Sequence, residues 1–315
     1  VSNLDPAPEA IALRPAVVRA VDVLEGRKAA VGDGTEVRRL LPQRMLRSVG
    51  AWCFLDHYGP GDVGRGPGMQ VPPHPHIGLQ TATWLFEGLV LHRDSLGHAQ
   101  LIRPGELNLM TAGRGIAHSE ESPRGRPAVL HGLQLWIALP DADRGAEPRF
   151  AHHAGLPVLR EGGARVTVVV GEHRGERSPA EVFTPLAGLE VAVPGGEEFE
   201  LPAREDFEYG VIAADGPALV QGALIAPGLL AHLPPGLPAI RLSPAGGRAL
   251  ARFFVLGGTP FAERLLMWWN FVARTGEEIG RARGDWAAGR FGEVSGYPGP
   301  PLPAPPLPPV PLRPR

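Results

Sequence analysis

The sequence predicts an all-β fold of two β-barrels in tandem, closed by a C-terminal helix. Three observations carry that expectation. Short apolar or alternating runs recur at regular intervals in two separate series. Turn signals punctuate them, and the 42 Gly and 36 Pro of this 315-residue chain favour many turns over long helices. Only residues 260–286 change period, with Leu265, Trp269, Val272, Ile279 and Trp286 near helical spacing.

The first series occupies residues 15–140. Residues 16–24 alternate as a strand, Gly32-Asp33-Gly34 turns, and residues 36–41 extend again. Residues 50–58 form an apolar run ending in Asp56-His57-Tyr58-Gly59-Pro60. Strands are expected at 80–87, 89–94, 99–102 and 107–111, broken at Gly88, Gly97-His98 and Pro104-Gly105. Residues 129–139 close the series. His57 is expected to be a hydrogen-bonded structural residue and His98 to be exposed, while His92 is not assigned to a site. Residues 141–164 are polar and read as a connector. Its adjacent His152 and His153 would face opposite ways in a strand, so a solvated loop is expected.

The second series, with the helix, occupies residues 165–290. Strands are expected at 165–170, 189–193, 197–201, 209–213, 218–225, 229–233 and 249–256. Turns fall at Pro194-Gly195-Gly196, Asp215-Gly216-Pro217, Pro235-Gly236 and Gly246-Gly247. Gly276 and Gly280 weaken the helix that follows. Residues 296–315 are Pro-rich, cannot bury enough apolar surface to fold alone, and are expected to be a disordered tail sampling polyproline II.

Composition narrows the function. A hydrophobic content of 43% supports true cores. The formal net charge is -2 and there is no block of Lys or Arg, so neither nucleic-acid nor membrane binding is expected. Cys53 is the only cysteine, which excludes an internal disulfide and fits a cytoplasmic protein. It lies in the apolar run Ala51-Trp52-Cys53-Phe54-Leu55 and is expected to be buried and inert. Residues 1–15 are acidic without an apolar core, so no signal peptide is expected there. No apolar stretch is long enough to span a bilayer.

The chemistry concentrates between Gly68 and Pro123. His74 and His76 stand two apart at its start, and His118 and Glu120 stand two apart near its end. Residues two apart in a strand share a face, so each pair points one way. Bringing the pairs together across a barrel makes a pocket of three imidazoles and one carboxylate. Such donors suit Fe(II), and equally Mn, Ni, Co, Cu or Zn. In the second series His173 and His232 are isolated, so that barrel is expected to be metal-free.

Gly68, His74 and His76 resemble the first metal motif of the cupin superfamily, and Pro104-Gly105 resembles the turn of the second. The run Met110-Thr111-Ala112-Gly113-Arg114-Gly115-Ile116-Ala117-His118-Ser119-Glu120 more specifically resembles the pirin family. So do His131-Gly132-Leu133-Gln134-Leu135-Trp136 and Met267-Trp268-Trp269-Asn270-Phe271-Val272. The resemblance spans Arg19 to Trp286 and leaves the tail out. It implies two jelly-roll cupin domains, with one Fe(2+) in the first held by His74, His76, His118 and Glu120. Gln80 stands where cupins in general carry a glutamate; in pirins the carboxylate comes from the later motif.

The implied activity is that of quercetin 2,3-dioxygenase, which opens a flavonol with O2 and releases carbon monoxide. Glu120 is then also the catalytic candidate that takes the flavonol hydroxyl proton. A carboxylate beside a cation favours its charged form, which favours ligation over basicity. The alternative is an iron-dependent regulatory protein that acts on transcription or on a partner enzyme without turnover. Both readings use the same four residues.

Overall fold

The computed structural model describes residues 21–32 and 35–314. Residues 1–15, most of the strand expected at 16–24, and the turn residues Asp33 and Gly34 lie outside them.

The fold is two jelly rolls, each a seven-stranded sheet facing a four-stranded one. In the first, the large sheet runs Arg149–His153, Leu107–Thr111, Leu79–Glu87, Val129–Ala138, Trp52–Asp62, Thr35–Leu41, Arg27–Val31. Its small sheet runs Gln70–His76, Ile116–Glu121, Val90–Asp94, Ala99–Ile102. The second barrel repeats the plan, with Leu250–Gly258 and Leu186–Pro194 central to its large sheet.

The two large sheets pack back to back. Trp52, Trp84, Leu133 and Leu135 of the first meet Val170, Ile212, Phe254 and Leu256 of the second in one apolar cluster. Trp52 Nε1 donates to Gly257 O at 3.2 Å, and Trp84 Nε1 to Glu190 Oε2 at 2.9 Å. This packing explains why Leu79–Glu87 and Leu186–Pro194 read as nearly continuous apolar runs. One face of each lines its own barrel and the other is buried between the barrels. Cys53 is fully buried, and burial pushes its thiol up to about 12.

Several sequence expectations need correction. Asp22–Glu25 pairs with Leu229–Leu233, so it belongs to the second barrel's sheet rather than the first. The segment 141–164 is not a plain connector: Arg149–His153 extends the first large sheet and Val158–Glu161 the second. His152 and His153 therefore lie in a strand, with His152 Nδ1 2.8 Å from Asn108 Oδ1. The strand expected at 218–225 is a hairpin that turns at Gln221 and Gly222, both at positive φ.

The helix is shorter than 260–286 and covers Gly276–Ala287. Thr275 caps it, Glu277 and Glu278 occupy its first turn, and Gly276 begins rather than breaks it. Before it, Leu266–Trp268 and Phe271–Ala273 form a hairpin around Trp269, whose φ of 52° no helix allows. The Pro-rich tail is also placed against the fold: Leu302 N donates to Pro73 O and Leu312 packs beside Ile279 and Phe291. Among the described residues, no helix is long and apolar enough to cross a membrane.

Candidate metal centre

Gln70–His76 holds three prolines, at 72, 73 and 75, which have no N–H to give a ladder. It lies at the edge of the small sheet, where a strand needs donors on one side only. Its partner is Ile116–Glu121, with His74 directly opposite His118 and His76 opposite Ile116. The two histidine-bearing pairs thus meet as neighbours within one sheet, not across the barrel as the sequence suggested. The register shifts between His118 and Glu120.

His74, His76 and His118 are buried, and one nitrogen of each lies within 4.8 Å of the others. The outward ring nitrogens explain the aim of the inward ones. His74 Nδ1 is 2.8 Å from Pro72 O, and His76 Nδ1 is 3.0 Å from Asn270 O. A carbonyl only accepts, so each Nδ1 carries the proton and each Nε2 presents a lone pair. His118 Nδ1 instead meets His92 Nδ1 at 3.3 Å, and His92 Nε2 lies 3.1 Å from Asp94 Oδ2. Burial pulls the Asp94 carboxyl up, but hydrogen bonds from His92 and His98 outweigh it and hold it below the usual range. As an acceptor, Asp94 fixes the proton on His92 Nε2. With that proton on Nε2, His92 offers its Nδ1 lone pair to His118 Nδ1–H and frees His118 Nε2.

The consequence is electrostatic. His76 Nε2 and His118 Nε2 stand 3.1 Å apart, and with both Nδ1 atoms protonated they face each other as two lone pairs. A cation between them relieves that repulsion, so the donors fit a divalent metal. Burial first, with the neighbouring imidazoles second, holds His76 and His118 well below the usual histidine range. Burial takes His74 to about 4, against the opposing bond to Pro72 O. All three are neutral imidazoles at neutral pH.

Glu120 lines the same cavity but does not belong to the group within 4.8 Å. The Thr83 hydroxyl lies 2.9 Å from its Oε1 and 3.0 Å from Gln134 Oε1. Burial raises the Glu120 carboxyl, partly offset by His92 and Thr83. The buried Tyr58 hydroxyl has no hydrogen-bond partner among the described residues and lies 2.7 Å from where a Cβ on Gly132 would sit. The cavity has a volume of about 500 Å³. Phe54 and Trp136 stack on one another at 4.0 Å along its wall, and the Arg39 guanidinium sits 4.4 Å over Phe54. Arg39 also holds Asp56 through two bonds of 2.8 and 2.7 Å.

The other histidines fall outside this cavity. His57 is buried with Nε2 2.8 Å from His131 Nε2, as a structural residue should be. His98 is exposed and bonds Asp94. Gln80 turns away to Thr111 and Glu181. Sequence reasoning missed Tyr58, Thr83, Asn270 and the pair His92/Asp94. Only the last had a local signal: His92 and Asp94 stand two apart on the strand beside His118. Among the described residues, the three-histidine group is the one metal-capable cluster.

Two jelly rolls with one buried imidazole cluster define a bicupin carrying a single candidate metal centre. Residues 34–137 match the Pirin family model, and residues 188–292 match the Pirin C-terminal cupin domain. The chain belongs to the pirin family. It is 46% identical over 279 residues to a Pseudomonas aeruginosa protein named "Putative quercetin 2,3-dioxygenase PA1205", covering 88% of this chain and 87% of that one. A pirin-like protein of Caulobacter vibrioides is 39% identical over 277 residues, covering 85% and 93%. The crystal structure of quercetin 2,3-dioxygenase from Acinetobacter baumannii superposes with a TM-score of 0.88 at 44% identity, covering 93% of this chain and 97% of that one.

Proposed function

We propose that this protein is a metal-dependent dioxygenase that opens a flavonol-like ring with O2, with iron(II) as its metal. The observation that carries the reading is the joining of three neutral, inward imidazoles and a buried carboxylate to one aromatic-walled cavity. Relatives at 44–46% identity bear the name of that activity.

His74, His76 and His118 hold the metal, and Glu120 completes the donor set. When bound, the metal would supply Lewis-acid chemistry at this point of the cavity. The residues of the chain do the rest. Phe54 and Trp136 offer a flat apolar wall to a planar polyphenol. Tyr58 presents an unspent hydroxyl beside Glu120, whose charge, after burial, keeps the phenol protonated. Glu120 is the group placed to accept the flavonol hydroxyl proton on a carboxylate oxygen, which requires that oxygen to be free of the metal, while Thr83 steadies Oε1.

The test is iron(II)-loaded protein mixed with quercetin in air, following loss of flavonol absorbance and release of carbon monoxide. Turnover is expected, and it should vanish in His76→Ala. In Glu120→Gln, retained iron with lost turnover would assign the carboxylate a chemical role beyond ligation. Absence of turnover with every loaded metal would overturn the dioxygenase reading in favour of a binding protein.

A further inference from the structure

The family match ends at residue 292, yet the chain beyond it reaches the cavity. Leu302 is one of the residues that line it, with Met267, Trp269 and Asn270 of the preceding hairpin. Three bonds set its place. Leu302 N donates to Pro73 O at 2.8 Å, and Trp286 Nε1 of the helix donates to Leu302 O at 2.8 Å. Arg283 Nε donates to Pro305 O at 2.7 Å. Farther on, Leu312 packs into the apolar cluster of Phe271, Ile279 and Phe291.

The sequence explains why this segment docks on this edge. Gln70–His76 is an edge strand whose prolines leave carbonyls without matching donors. About half of the tail is proline, and Leu302 is one of the residues there that keep an N–H to give. A stiff polyproline segment loses little entropy on docking, so a few anchors suffice. Pro73, the acceptor, immediately precedes His74. The anchor therefore sits one residue from the candidate centre.

We propose that residues 297–312 form a fixed strap that walls the ligand cavity, and that Leu302 sets the size of ligand that reaches the three histidines. The choice of quercetin as probe rests on the flavonol reading above; a second probe, the iron chelator ferrozine, does not depend on it. Both are applied to the full chain loaded with iron(II), as wild type, Leu302→Trp and Leu302→Ala. Quercetin affinity is measured by anaerobic titration. The larger side chain should weaken it roughly tenfold, as overpacking of one contact does, with iron content unchanged. The smaller side chain should open the wall and speed iron capture by ferrozine several-fold. If wild type ignores quercetin while Leu302→Ala still loses iron faster, the flavonol reading fails and the strap stands. Wild-type values for both variants on both probes would overturn the strap.

Discussion

Each imidazole of the centre owes its aim to a different part of the chain: His74 to Pro72 in its own strand, His76 to Asn270 of the C-terminal hairpin, and His118 to His92 on the neighbouring strand. Loss of a ligand and loss of an orienting group should therefore look different. His74→Ala or His118→Ala should abolish stoichiometric metal by elemental analysis. The thermal melt of either should stay cooperative, because both barrel cores are apolar and independent of the ion. Full metal in the double variant would sink the site. His92→Phe keeps a ring stacked on Phe150, now 4.4 Å away, but leaves His118 Nδ1 without an acceptor. Metal affinity by chelator competition should fall about 10–100-fold, the usual cost of losing an orienting partner. His92→Gln, whose amide offers both a donor and an acceptor, should recover part of it. Unchanged affinity in His92→Phe would reduce His92 to packing.

At the scale of elements, the turn before Ile116–Glu121 decides where His118 and Glu120 fall. Gly113 has φ 51°, and a Cβ there would lie 1.9 Å from Ala146 O, which is backbone and cannot give way. Gly105 has φ 85° but open space around it. Gly113→Ala should cost about 2–4 kcal/mol in urea unfolding, since it adds a backbone clash to the φ strain. Gly105→Ala should cost about 1 kcal/mol. Equal costs would refute the role of the close approach. These bends were legible as glycines, as were most strands, because alternation and Gly/Pro punctuation are local. What escaped was set by partners remote in sequence. Arg149–His153 is polar and becomes a strand because Leu107–Thr111 offers it an open edge. Leu265, Trp269 and Val272 mimic helical spacing, yet Trp269 turns a hairpin whose apolar side chains pack on the first barrel. The histidine pairs were legible for the opposite reason: spacing of two fixes a shared face whatever the tertiary context. Glu120 shows the limit, since it lines the same cavity yet stands outside the close group formed by the three imidazoles.

At the scale of the molecule, the barrels are joined by a partly buried polar seam that no sequence pattern announced. His57 and His131 bond ring to ring at 2.8 Å, and Asp215 of the second barrel lies 3.9 Å from His131 and is held by Arg252 through two bonds of 2.6 Å. One ring donates and the other accepts, so the acceptor must stay unprotonated and the two rings cannot both be charged. Burial, with His131 adding its charge, takes His57 to about 3; burial takes His131 to about 4 against the pull of Asp215. In the unfolded chain both titrate near the ordinary histidine value of about 6.5. Below that pH the unfolded state binds protons that the folded state refuses, so stability rises with pH through the window and falls as pH drops from about 6.5 towards 3. The full contribution is present at neutral pH and is lost on acidification. The measurement is urea unfolding of metal-free protein at a series of pH values, comparing wild type with the double variant His57→Gln, His131→Gln. The paired amides preserve a donor and an acceptor but do not titrate. Wild type should lose stability more steeply with falling pH, by up to about two protons' worth of slope. The centre's own histidines are common to both proteins and cancel in the comparison. Parallel slopes would show that the seam keeps no proton out, and the neutral pair would have to be abandoned.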